Sequence, residues 1–292
     1  MKKTSYWIYL ILTRLSLIIG FLSWSLSKKR KKVKANLTVL GNASILNQIK
    51  TFAWYNLYWT EFFFLSSRLS TKEILAKSTL HNNTDFELAN KKGCILVLPH
   101  IGGWEMAGVL LNHNSRNVAA IAESLDNKKL QNWCTTTREK KGIKIFFNDD
   151  PKLISKCLEH IESGGILCIV GDRALDAKHV TKHYVQDYKS NGKDQTFVNL
   201  ATGAALLSIK AKTDTYVVVT PYVRSGSTNK LSFVHEFIID KKIEVPVDGN
   251  LKERIDQITT QIFESFMKYF KLFPSQWHCL ENYFKEESAR CK

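Results

Sequence analysis

From about residue 90 onward, short apolar runs alternate with longer stretches of helical pattern, and this alternation confines the chain to α/β architectures. The runs "GCILVLPH" (93–100), "NVAAIAES" (117–124), "IKIFFN" (143–148), "ILCIVGD" (166–172), "YVVVTPYV" (216–223) and "KLSFVHEFII" (230–239) have strand character. Helices are predicted between and after them at "EMAGVLLNH" (105–113), "NKKLQNWCTTTREKKG" (127–142), "DDPKLISKCLEHIESGG" (149–165), "FVNLATGAALLSIKAKT" (197–213) and "NLKERIDQITTQIFESFMKYF" (250–270). Pro151 suits a first helical turn, and Gly164 with Gly165 suits a helix end. Strands that are apolar on both sides are buried on both faces. The expected fold is therefore α/β, a central mostly parallel or mixed sheet flanked by helices.

The N-terminus follows a different rule. Residues 5–27, "SYWIYLILTRLSLIIGFLSWSLS", carry one charge, Arg14, and run straight into "KKRKKVK". A helix of that length spans about 35 Å, enough to cross a hydrocarbon core of about 30 Å. Trp24 and the lysine block stand where a signal peptide has its small-residue cleavage site, so the segment is expected to stay attached. It either crosses the bilayer or lies in the interface with Arg14 snorkelling, and the basic excess after it puts the main body on the cytoplasmic side. The chain thus divides into an anchor with its basic flank, 1–34, and a catalytic domain, 35–292. The aromatic helix "AWYNLYWTEFFFLSSRLS" (53–70) is expected to pack in the core, with a membrane-facing edge as the alternative.

The formal charge of +15 draws the protein to anionic membranes, nucleic acid or acidic proteins. The lysines cluster beside the apolar segment, and no finger, helix-turn-helix or aromatic-basic RNA motif is recognisable, so the membrane is favoured and nucleic acid is not expected. Six cysteines are scattered without C-x-x-C spacing, as reduced thiols are.

The stretch "LPHIGGWEMAG" (98–108) carries the chemistry. His100 follows a strand, and ligand sites in open α/β sheets lie outside the carboxyl ends of strands. Gly102 and Gly103 allow a bend, and Glu105 falls in the first turn of the next helix, near Trp104. A base and a carboxylate so placed fit acyl transfer from a thioester to an alcohol. The imidazole takes the hydroxyl proton, the carboxylate fixes its tautomer, and backbone N–H groups around Gly102 and Gly103 face the developing oxyanion. No G-x-S-x-G elbow offers a nucleophile, and no H-E-x-x-H offers a zinc site, so metal ligands are not expected.

"KGCILVLPHIGGWEMAG" resembles the first motif, H-x4-acidic, of the bacterial lysophospholipid acyltransferase family typified by the lipid A biosynthesis lauroyl and myristoyl acyltransferases. The likeness continues in order through "KANLTVLG", "TREKKGIKIF", "GGILCIVGDRALD", "ATGAALLSIKAKTDTYVVVTPYVR" and "QITTQIFESFMKYFKLFPSQW". The resemblance implies a glycerolipid-acyltransferase-like fold in the bacterial inner membrane, with His100 as general base and Glu105 as its partner. Asp172 and Arg173 match the second motif and, with Gly102, Gly103, Trp104 and Arg224, are the expected substrate-binding residues. It implies an acyl carrier protein or coenzyme A thioester as co-substrate, a lipid acceptor, and no bound cofactor. "HYVQDYKSNGKDQTF" and "QWHCLENYFKEE" depart from members acting on lipid A, so a glycerophospholipid or aryl-polyene-type acceptor stands beside a lipid A-like one. A basic lipid- or nucleic-acid-binding protein is the non-enzyme alternative.

Overall fold

The apolar runs do become strands, and the way they leave the sheet places the site. A computed structural model describes residues 11, 15–67, 78–80, 92–113, 117–174, 179–190, 194–224 and 233–287. In chain order the helices are α1 (Ser16–Leu26), α2 (Arg30–Val39), α3 (Ile45–Ser67), α4 (Glu105–His113), α5 (Lys128–Glu139), α6 (Leu153–Glu162), α7 (Gly203–Ala211) and α8 (Leu251–Leu272). The strands are β1 (Ser78–Leu80), β2 (Cys94–Leu98), β3 (Val118–Ala122), β4 (Ile143–Phe147), β5 (Ile166–Val170), β6 (Val180–Ser190), β7 (Asp194–Ala201), β8 (Thr215–Val219), β9 (Tyr222–Arg224), β10 (Phe233–Ile243) and β11 (Lys285–Glu287).

The main sheet runs β1-β10-β8-β2-β5-β3-β4, with β9 also paired to β10. Strands β8, β2, β5, β3 and β4 are mutually parallel, and β10 runs antiparallel to β8. Alternate residues point to opposite faces of a strand. Cys94, Leu96 and Leu98 of β2 therefore pack with Met106, Val109 and Leu111 of α4 on one face. Ile95 and Val97 face the other way, into a larger core with Ile161 of α6, Leu207 of α7 and Phe266 and Phe270 of α8. Helix α8 is started by a capping box, Asn250 accepting from the Glu253 N–H and Glu253 from the Asn250 N–H.

A second, three-stranded antiparallel sheet, β11-β7-β6, is made of the β6-β7 hairpin that follows β5 and of β11 from beyond α8. It corrects the expected helix at 197–213. Phe197–Ala201 is the end of β7, because Val198 and Leu200 are buried by pairing against β6, and only Gly203–Ala211 is helical.

Among the described residues no helix is long and apolar enough to cross a membrane, and residues 1–10 and 12–14 of the expected anchor lie outside those described. What is described of it packs along α3. A methyl group on Gly20 would come within 2.6 Å of the Ala53 Cβ. Asn56 Nδ2 donates to Ser23 Oγ at 2.9 Å, and Trp24 Nε1 donates to Gln48 Oε1 at 3.2 Å. The expected boundary at 34/35 falls inside α2, where Asn36 donates to the Glu281 carbonyl (2.7 Å) and accepts from the Tyr283 N–H (3.2 Å).

Candidate active site

Strands β2 and β5 lie side by side, with Leu98 paired to Val170. Two residues past each of these partners stand His100 and Asp172, so the strand register itself brings them to one level. From β2 the chain leaves to α4 on one face of the sheet. From β5 it leaves to β6 and β7, whose Val185, Val198 and Leu200 join the core on the opposite face. Such a divergence opens a crevice at the strand ends.

His100 Nδ1 meets Asp172 Oδ1 at 2.5 Å, and the His100 N–H donates to Asp172 Oδ2 at 3.2 Å. Trp277 Nε1 also donates to Oδ2, at 2.9 Å. Burial alone pushes the Asp172 pKa up, but the His100 imidazole, the Arg173 charge and the Trp277 hydrogen bond outweigh it and hold the carboxyl at about 2. Asp172 is thus a fixed buried anion that orients the imidazole through Nδ1, and Nε2 is the nitrogen left to exchange a proton.

This corrects the expectation for Glu105. Its carboxylate is taken by Arg138 of α5, with Nη2 at 2.5 Å and Nε at 3.0 Å, and by the Tyr58 hydroxyl of α3 at 3.2 Å. Burial lowers the Arg138 pKa, but the Glu105 charge and hydrogen bonds, with smaller contributions from Tyr58 and Cys134, together raise it. The Tyr58 hydroxyl is pushed up by burial and by the same carboxylate. An Arg fork on one side and a hydroxyl on the other hold Glu105 as a tie between three helices, not as the imidazole's partner.

The glycines are also committed elsewhere. The Gly102 N–H donates to the Gln276 carbonyl (3.1 Å) and the Gly103 N–H to the Thr220 carbonyl (3.0 Å), so neither is available to an oxyanion. Gly102 has φ +60, which a glycine takes without strain. Arg173, by contrast, lines the cavity beside His100. Its Nη2 donates to the His278 carbonyl at 2.8 Å, and its buried Nε has no partner among the described residues. Trp104 stands edge-on to the His100 ring, with centroids 4.8 Å apart. Arg224 is on β9, but its side chain lies outside the described residues.

The segment Gln276–His278 is the part of the site that sequence reasoning missed. Besides the Trp277 contact, the His278 N–H donates to the His100 carbonyl at 2.8 Å, and the Gln276 amide bridges the Tyr222 N–H and carbonyl. The His278 ring is fully buried against Trp104, Tyr58 and Tyr55, and neither of its nitrogens has a partner among the described residues. Burial, reinforced by the charges of His100 and Arg173, lowers its pKa to about 3, so it is neutral. A signal for the His100–Asp172 pairing does exist in the sequence: both strands end in the same way, an apolar run, one breaker, then the polar residue, in "LVLPH" and "CIVGD".

A cavity of about 330 Å³ begins at His100, Arg173 and Trp59 and continues between the sheet and helices α4 and α5. Its walls are mostly apolar, with Leu98, Ala120, Ala122, Cys134, Cys168, Gly108 and Ile143 among them, and Glu105, Glu123, Gln131 and Arg138 add polar groups. Val118 and Ile143 open β3 and β4, whereas Ala122 and Phe147 close them. A cavity lined by both ends follows four strand steps, or about 13 Å. Burial pushes the Cys168 thiol up to about 12, so it is an inert wall residue. The five described cysteines are all buried and form no disulfide, and among the described residues no group of His, Cys, Asp and Glu is arranged to hold a metal.

The model of the bacterial lipid A biosynthesis acyltransferase family matches residues 6–286. The chain belongs to that family. It is also similar to the phosphatidylinositol mannoside acyltransferase of Mycobacterium tuberculosis (strain CDC 1551 / Oshkosh), 27% identical over 161 residues, which are 52% of this chain and 50% of that protein. To the protein of the same name from Mycolicibacterium smegmatis it is 25% identical over 120 residues, 40% of each chain. The chain spans about half the length or less of these curated relatives. The family is one of membrane-associated bacterial lipid biosynthesis.

Proposed function

We propose that the chain transfers a fatty acyl group from an acyl thioester, on acyl carrier protein or coenzyme A, to a hydroxyl of a sugar-headed membrane lipid. The observation that carries this reading is the His100–Asp172 pair beside a mostly apolar cavity that follows the strands for about 13 Å. His100 Nε2 takes the acceptor hydroxyl proton as that oxygen attacks the thioester carbonyl carbon. The C–S bond then breaks, and the imidazolium returns the proton to the departing thiolate. Asp172 stabilises the imidazolium throughout. Arg173 meets the negative charge of the reacting carbonyl, in place of the engaged glycine N–H groups. The acyl chain lies along β3 and β5 toward Ile143.

Two kinds of likeness, to a lipid A family and to enzymes named for a phosphatidylinositol mannoside, support a sugar-headed acceptor. Its route is suggested by exposed apolar residues on α1 (Leu17, Ile18, Phe21, Leu22) and α3 (Trp59, Phe63), beside Lys28 to Lys34. We read this face as resting on the cytoplasmic side of the bacterial inner membrane, with basic side chains on anionic headgroups. Trp59 belongs both to that face and to the cavity mouth.

The test is to supply labelled dodecanoyl thioesters of coenzyme A and of acyl carrier protein with three acceptors in mixed micelles: a lipid A precursor, a phosphatidylinositol mannoside and a lysophospholipid. Label in either sugar-headed lipid supports the reading. Label confined to lysophospholipid moves the acceptor class, and thioester left intact with all three overturns acyl transfer.

A further inference from the structure

A second buried histidine–carboxylate pair lies directly beneath the catalytic loop. His235 of β10 is 4% exposed, and its Nε2 is 3.2 Å from Glu61 Oε2 of α3. The same oxygen accepts from the Tyr222 hydroxyl at 2.7 Å. Tyr222 is the register partner of His235, and Trp54 of α3 stacks on its ring at 5.0 Å. The other face of the arrangement is Gly103, where a Cβ would fall 2.5 Å from His235 Nδ1. The imidazole therefore occupies the space that any side chain at 103 needs. It fixes how far the loop can settle onto the sheet.

We infer that Glu61 and His235 are positioning residues for the reaction: Glu61 holds the His235 ring edge against Gly103, and that contact sets the height of the 100–104 loop and so of the His100 imidazole. The loop's backbone bonds restrain Gly102 and Gly103 to the Gln276 and Thr220 carbonyls, the first at the end of the single 3-10 turn Pro274–Gln276 and the second one residue past β8. The His235 ring adds a rigid stop, and its anchor is on the helix that also supplies Tyr55, Tyr58 and Trp59 to the cavity. Catalytic height and cavity width are thereby set by one helix. Misplacing reacting groups by an ångström costs about a hundredfold in rate, which gives such a stop its value.

This inference rests on the acyl-transfer reading, and the experiment separates the two. Turnover of dodecanoyl-coenzyme A by the full chain with the glycolipid acceptor is compared among single and double variants, together with their melting temperatures. Gly103→Ala is expected to lower kcat by at least about a hundredfold. Adding His235→Ala should recover about tenfold or more, because the ring that the new methyl strikes is gone. His235→Ala or Glu61→Ala alone should lower kcat about tenfold with the donor KM within about twofold, and both together no more than either, since they act through one ring. Glu61→Gln, whose amide oxygen still accepts from both partners, should stay within about threefold of the parent. A merely structural pair would instead give losses that track melting temperature and multiply with Gly103→Ala, and that result overturns the inference. If His235→Ala does not melt cooperatively, His235→Gln takes its place, with rescue of Gly103→Ala supporting the inference and its absence overturning it. A parent protein that turns over no thioester counts against the acyltransferase reading alone. The loop is then followed by the downfield Nδ1 proton of His100 in nitrogen-labelled protein: Gly103→Ala should displace it and the double variant restore it, and an unmoved signal overturns the stop.

Discussion

The two faces of the central sheet are filled in opposite ways. On the face of α6, α7 and α8 the space is filled by large side chains, among them Phe266 and Phe270 of α8 and Trp277 beyond it, each at most 2% exposed. Against α4 and α5 the strands present Ala120, Ala122 and Cys168, and α4 adds Gly108, which leaves the 330 Å³ cavity. A helix-interior glycine costs about 1 kcal/mol against alanine, and alanine is a poor strand former. One face is built for stability, while the other gives up packing to make room for a ligand.

Truncation on the filled face should be the most damaging to the fold. Phe266→Ala is expected to cost about 3–5 kcal/mol of unfolding free energy, measured by urea denaturation, while the ranking of donor chain lengths stays as it was. On the hollow face the order reverses: His100→Ala should lower turnover at least about a hundredfold with an unchanged melt, and a folded variant of near-normal activity would dissolve the contrast. Next comes depth. A Cβ on Gly108 would lie 2.6 Å from Ile143 Cδ1, so Gly108→Met should shift kcat/KM toward shorter acyl thioesters by about tenfold, an effect that no substitution around Phe266 should mimic.

The mildest expectation concerns pH. The His278 pKa is about 3 when folded and about 6.5 when unfolded. As pH falls below about 6.5 the unfolded chain takes up a proton that the folded one refuses. Stability is therefore lost from there down to about 3, by at most about 1.4 kcal/mol per unit. His160 and His183, also lowered by burial, act in the same direction. His278→Phe should reduce this slope without abolishing it, and an unaltered slope in urea titrations between pH 6.5 and 4 would show that the ring is not a buried neutral imidazole.

The strands of the main sheet were legible because buried parallel strands are apolar throughout, and Cys94–Leu98 or Ile166–Val170 read as such without context. The hairpin of β6 and β7 was not, because its inward residues include Thr181 and His183, which hydrogen-bond each other, and no apolar alternation marks it. The place of His100 just past the end of β2 was legible. Its partner was not, since pairing Asp172 with it requires knowing that β5 lies beside β2, a fact of strand order. Glu105 was drawn to His100 by nearness in sequence, whereas Arg138 claims it through the placement of α5, 33 residues on.

The contacts of Gln276, Trp277 and His278 have a consequence for biosynthesis. Gly102, Asp172 and His100 all depend on a segment some hundred residues or more downstream of them. At about 5–20 residues per second, the ribosome releases His100 roughly 10 to 35 seconds before the segment that aligns it. The hydrogen bonds that fix His100 and Asp172 can therefore form only after residues 276–278, beyond the end of α8, have been delivered.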